Sequence, residues 1–114
     1  MEIIKGIVIE GNKKGRKLGF PTANIEVAGL ALDPGIYAGY VIIGQKEYQG
    51  AIYLAGNDIL ETFVFDFEGD LYGTEIIVTI VQRIRDNMDF NSDVEAIAQI
   101  AKDIDQIEKC LQEL

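Results

Sequence analysis

The sequence has no histidine, no tryptophan, one cysteine and two prolines. Without histidine there is no Ser-His-Asp triad, no Cys-His pair and no histidine-ligated zinc site, so acid–base work falls to carboxylates, lysine or tyrosine. Cys110 has no partner for a disulfide within the chain. Positive charge is scarce too: 10 Lys and Arg against 19 Asp and Glu leave a net charge of −9. Nucleic-acid affinity comes largely from neutralising phosphates, so no nucleic-acid partner is expected. No apolar run approaches the roughly 20 residues of a spanning helix. The opening MEIIKGIVIEG lacks the basic start and small-residue cleavage site of a signal peptide. A cytoplasmic protein with no membrane partner is the expectation.

What is present suits one domain over 1–114, because 114 residues with 48% hydrophobic content can enclose a single core. Alternation predicts strands over 3–10, 22–27, 36–43, 46–54, 59–67 and 73–84. Turn signals at Asp33-Pro34-Gly35, Gly44-Gln45, Gly56-Asn57-Asp58 and Glu68-Gly69-Asp70 separate them. With short connections these read as hairpins, and a closed antiparallel barrel removes the edges such strands would expose. Ser92 and Glu95 form a capping box, and Ile97, Ile100, Ile104, Ile107, Leu111 and Leu114 follow at spacings of three and four. This predicts a helix over 92–114, packed on the barrel of a monomer or forming a dimer seam, since the spacing serves both.

Three features can carry chemistry. Residues 1–17 hold five of the ten basic residues, among them Lys13, Lys14, Arg16 and Lys17, interleaved with Gly11 and Gly15. That island is either a solvated loop or a site for a phosphate-bearing ligand, although no P-loop or Rossmann motif is present. In extended chain Thr22 and Asn24 point the same way, and their neutral oxygens suit either a turn or a Mg²⁺ ion that arrives with a nucleotide. Glu61 shares a strand face with Phe63, Phe65 and Phe67, which marks that face as inward, with Leu60, Thr62, Val64 and Asp66 outward. Glu61 is then a general-base candidate at a barrel rim, unless it belongs to the wet loop before the strand.

The runs GRKLGFPTAN and FDFEGDLYG, with Gly35-Ile36-Tyr37 between them and Arg85 and Phe90 before the capped helix, resemble riboflavin kinases of the bacterial and eukaryotic type over nearly the whole chain. The resemblance implies an all-β fold, a six-stranded antiparallel Greek-key barrel with a C-terminal α-helix. It also implies transfer of the ATP γ-phosphate to the 5′-hydroxyl of riboflavin, giving FMN and ADP. On the matching positions, Glu61 would be the catalytic base and Thr22 and Asn24 the Mg²⁺ ligands. Gly11, Arg16, Thr22, Val64, Asp66 and Tyr72 would contact nucleotide, and Arg85, Met88 and Phe90 flavin. Two departures stand out: the connection at 55–58 is shorter than the family's loop, and Met88 occupies a position where a basic residue is expected. The alternatives are a non-catalytic flavin or nucleotide-binding barrel and, against the charge, an oligonucleotide-binding one.

Overall fold

Gly44, at φ 64°, lets the chain reverse in two residues, so that Gly35–Ile43 (β3) and Lys46–Leu54 (β4) pair in register from Ile43↔Lys46 to Gly35↔Leu54. Gly56 and Asp58, both at positive φ, make the next reversal into Ile59–Val64 (β5). The computed structural model describes residues 2–11, 16 and 18–113. Among these the remaining elements are Glu2–Ile7 (β1), Ala23–Glu26 (β2), Glu75–Arg85 (β6) and a helix, Asp93–Gln112 (α1).

The sheet order is β1-β6-β3-β4-β5-β2, antiparallel throughout. β3, β4 and β5 form a meander, and β6 returns to lie beside β3, which is the Greek-key arrangement. The expected hairpin at residues 68–70 is therefore corrected: β5 does not pair with β6, and the intervening residues cross from one side of the sheet to the other. The sheet curls until the chain after β1 meets β2, where Ile9 N–H donates to Asn24 O at 2.8 Å. The result is a nearly closed six-stranded barrel with a C-terminal helix.

Two apolar cores use opposite faces of the same strands. Ile25, Val41, Ile52, Leu60, Val64, Ile76 and Val78 fill the barrel. Ala38, Ala51 and Phe65 on the outer wall receive Ile107 and Leu111 of α1, and the two alanines leave room for the helix to approach. This reverses the faces expected for β5. Leu60 and Thr62 are fully buried and Val64 nearly so, all on the barrel side, while Glu61, Phe63 and Phe65 look outward toward α1. Both faces are apolar, so alternation alone does not rank them; the curl of the sheet sets Leu60 and Val64 into the barrel cluster and leaves Phe63 and Phe65 to the wall that α1 covers. Asp66, at φ 58°, then breaks the alternation, which returns Phe67 to the barrel-side cluster.

At the start of α1, Ser92 Oγ accepts from Glu95 N–H at 3.2 Å, and Glu95 Oε2 accepts from Asn91 N–H at 3.1 Å. The capping box thus forms with the glutamate reaching one residue further back than the usual motif. Ile100, Ile104, Ile107 and Leu111 face the barrel as expected, but Ile97 is 39% exposed and Ala96 takes its place. Leu114 lies outside the described residues. Among the described residues no helix is long and apolar enough to cross a membrane.

Candidate active site

Gly19 adopts φ 92° and Pro21 fixes the chain in extended form behind it, so Thr22 and Asn24 enter β2 pointing to one side. β2 pairs with β5, with Asn24 opposite Glu61 and Ala23 opposite Thr62. The Thr22 hydroxyl donates to Glu61 Oε1 at 3.4 Å, and Asn24 Nδ2 donates to Thr22 O at 3.5 Å. Asn24 is only 4% exposed. A β-carbon placed on Gly11 would land on the Asn24 amide, so the glycine lets the loop backbone close over that side chain.

Two cavities meet at this pair. The smaller, about 190 Å³, lies between the loop after β1 and the turn before β6; Gly11, Arg16, Thr22, Asn24, Val64 and Tyr72 line it. The larger, about 500 Å³, is walled by β4 and β5, the segment after β6 and the first turns of α1. Thr22, Tyr53, Glu61, Arg85, Met88 and Phe90 are among its lining residues, and its size is that of a typical small-molecule site. Thr22 belongs to both.

Most of the expected site residues therefore gather in two groups, those expected at nucleotide around the smaller cavity and those expected at flavin around the larger, with Thr22 common to both. Glu61 is not inside the barrel, as its strand face had suggested, but half-buried on the outer wall, in the cavity that α1 helps to roof. Asp66 is the outlier of the first group: it is exposed and borders a neighbouring hollow with Pro21, Phe63 and Phe67. Of the basic island, Arg16 reaches the smaller cavity, whereas Lys13, Lys14 and Lys17 lie outside the described residues. Met88 is 50% exposed at the rim of the larger cavity. Arg85 is the last residue of β6 rather than part of a loop, and its guanidinium is engaged by Asp103 of α1.

Sequence reasoning did not single out Tyr53, Asn87 or Asp103. Tyr53 stands opposite Glu61 on β4. Burial, reinforced by the negative charge of Asp103, holds its phenol well above the usual tyrosine range, with Arg85 opposing the shift. Asn87 Nδ2 donates to Leu54 O at 3.0 Å and ties the segment after β6 to the end of β4. A signal existed only for Asp103, an acid within the apolar stripe of α1.

The riboflavin kinase family model, described as Flavokinase, matches residues 2–111. The RNA-binding riboflavin kinase RibR of Bacillus subtilis (strain 168) is 36% identical over 117 residues, covering 96% of this chain and 51% of that protein. The bifunctional riboflavin kinase/FMN adenylyltransferase of the same organism is 35% identical over 112 residues, covering 88% of this chain and 35% of that one. The chain thus spans a third to a half of the length of these relatives. The crystal structure of riboflavin kinase from Trypanosoma brucei superposes with a TM-score of 0.79 at 22% identity, over 96% of this chain and 76% of that one, and shares the fold. With the family model spanning β1 to the last turn of α1, this chain belongs to the riboflavin kinase family.

Proposed function

We propose that this chain is a riboflavin kinase that moves the γ-phosphate of ATP to the 5′-hydroxyl of riboflavin, giving FMN and ADP. The observation that carries the reading is the pair of unequal cavities sharing Thr22, whose hydroxyl donates to Glu61: the smaller suits a phosphate chain, the larger a flavin, and Glu61 lines the larger one beside that shared residue. The hydroxyl proton passes to the Glu61 carboxylate as the oxygen attacks the γ-phosphorus, the bond to the bridging oxygen breaks, and ADP leaves. Thr22 orients the carboxylate, and Arg16 adds positive charge beside the phosphates. Phe90 and Met88 border the flavin, and holding both substrates in line supplies much of the rate.

The donors fit a Mg²⁺ ion brought by the nucleotide. Asn24 Nδ2 is turned to Thr22 O, which leaves Asn24 Oδ1 and the Thr22 hydroxyl as neutral oxygens beside the smaller cavity. When bound there, the ion would offset charge on the phosphates. Riboflavin and ATP as the small-molecule partners, a monomer and a cytoplasmic setting complete the reading. RNA is not carried over from the relative's name, given the net charge of −9.

Incubation of the purified protein with riboflavin, Mg²⁺ and ATP should yield FMN. Glu61→Gln should form FMN at least roughly 10²-fold more slowly while its thermal unfolding matches that of the unsubstituted protein. A near-normal rate in that variant would remove Glu61 as the base. No FMN from the unsubstituted protein would favour a non-catalytic flavin or nucleotide-binding barrel.

A further inference from the structure

Arg85 closes β6 and Asp103 sits in the middle of α1, yet the two form a forked ion pair. Arg85 Nε donates to Asp103 Oδ1 at 2.8 Å and Nη2 donates to Oδ2 at 2.7 Å. Arg85 Nη1 donates to the Asp86 carbonyl at 2.9 Å, and Gln99 Nε2 donates to Asp103 Oδ1 at 3.0 Å. The Asp103 side chain is 1% exposed and that of Arg85 16%. In the pairing of β3 with β6, Ile36 opposes Arg85 while Tyr37 opposes Arg83, so Ile84 is an extra residue that re-aims Arg85.

Docking of the helix does not account for this arrangement. Ile107 and Leu111 already seat α1 on Ala38, Ala51 and Phe65, and an apolar pair of similar volume commonly stabilises as well as a buried ion pair or better. What the ion pair adds is position. Arg85 borders the larger cavity next to Tyr53 and Glu61, and Ala96 and Ile100 of the helix that carries Asp103 line the same space. Three of the guanidinium's five N–H groups are committed to Asp103 and the Asp86 carbonyl. Released from Asp103, the cation can swing into the volume assigned to flavin and reach for the Glu61 carboxylate.

We infer that Asp103, buttressed by Gln99, is a positioning residue for the flavin side of the site: it holds Arg85 as a fixed wall of the larger cavity and makes the shape of that cavity depend on the seating of the C-terminal helix. The inference rests on the assignment of that cavity to riboflavin. Asp103→Asn keeps the side chain's shape and removes the charge that holds the fork. Its riboflavin KM should rise about tenfold, the ATP KM should hold, and kcat per folded molecule should fall by a smaller factor than KM rises. Arg85→Lys, which keeps the charge but not the fork, should raise the riboflavin KM in the same direction. A purely structural role for Asp103 predicts loss of folded enzyme with both KM values unmoved.

Should Asp103→Asn fail to fold, the double variant Arg85→Met/Asp103→Leu leaves no unpaired buried charge and is expected to fold. It too should bind riboflavin more weakly, as read by quenching of flavin fluorescence without nucleotide. An unchanged riboflavin affinity in either folded variant overturns the inference. The binding measurement needs no turnover, so failure of the unsubstituted protein to make FMN would overturn the kinase reading and leave this test in force.

Discussion

Thr22 and Glu61 lie 39 residues apart in the chain and are joined by a hydrogen bond of 3.4 Å between the Thr22 hydroxyl and Glu61 Oε1. The bond crosses the seam between β2 and β5 and spans the partition between the two cavities. On the proposed reading it lets the residue nearest the phosphates set the orientation of the carboxylate that receives the riboflavin proton.

That relationship predicts coupling. Thr22→Val should slow FMN formation strongly in the unsubstituted background and much less in the Glu61→Gln background, giving an interaction energy on the order of 0.5–3 kcal/mol in kcat/KM. Thr22→Ser, which keeps the hydroxyl, should recover most of the rate. Strictly additive effects across the cycle would show that the two residues act independently.

Gly11 makes a second prediction. Since a β-carbon there meets the Asn24 amide, Gly11→Ala must displace either the loop or Asn24. Its Mg²⁺ requirement and ATP KM should rise by roughly 10-fold to 100-fold, as expected when a positioned ligand shifts by about 1 Å. Flavin fluorescence titrations should show unchanged riboflavin binding. A parallel loss of both substrates would mean that the substitution disturbs the barrel as a whole.

Thr62 is fully buried on the barrel side of β5, and its hydroxyl has no hydrogen-bond partner among the described residues. A buried hydroxyl without a partner opposes folding, and valine has nearly the same shape. Thr62→Val should raise stability by about 1 kcal/mol, a Tm gain of a few degrees. Calorimetry showing a loss instead would place a bound water on that hydroxyl.

Tyr53 ties stability to alkaline pH. Its phenol is held above the ordinary tyrosine value, chiefly by burial, whereas in the unfolded chain it ionises near pH 10. The folded state then retains a proton that the unfolded state releases, so this contribution is fully present below about pH 10 and is lost as pH climbs beyond it. Urea unfolding of Tyr53→Phe should differ from that of the unsubstituted protein by a constant amount at neutral pH. As pH passes about 10 the difference should move in favour of the variant. A gap that stays constant at alkaline pH would show that Tyr53 ionises as freely folded as unfolded.

The chain's local chemistry determined much of this molecule. Gly44 and the glycine at position 56 mark the reversals around β4, whose bounds match the expected strand, and Ser92 with Glu95 marks the start of the helix. The run from Leu18 to Asn24 pointed to the family and, through Thr22 and Asn24, to the residues around which the proposed site is built. These features were legible because they act over a few residues: a positive φ that glycine tolerates, a hydroxyl that caps a helix, a proline that forbids helical backbone.

Tertiary structure decided what depends on distant partners. β5 carries apolar residues on both faces, and only the curl of the sheet and the docking of α1 on its outer wall settled that Leu60 and Val64 face in and Glu61 faces out. The pairing of β6 with β3 instead of β5 came from the Greek-key return, which no turn sequence encodes. Asp103 reads as an interruption of a helical stripe until Arg85 arrives from another element to neutralise it, because a buried charge is tolerable only where its partner is also present.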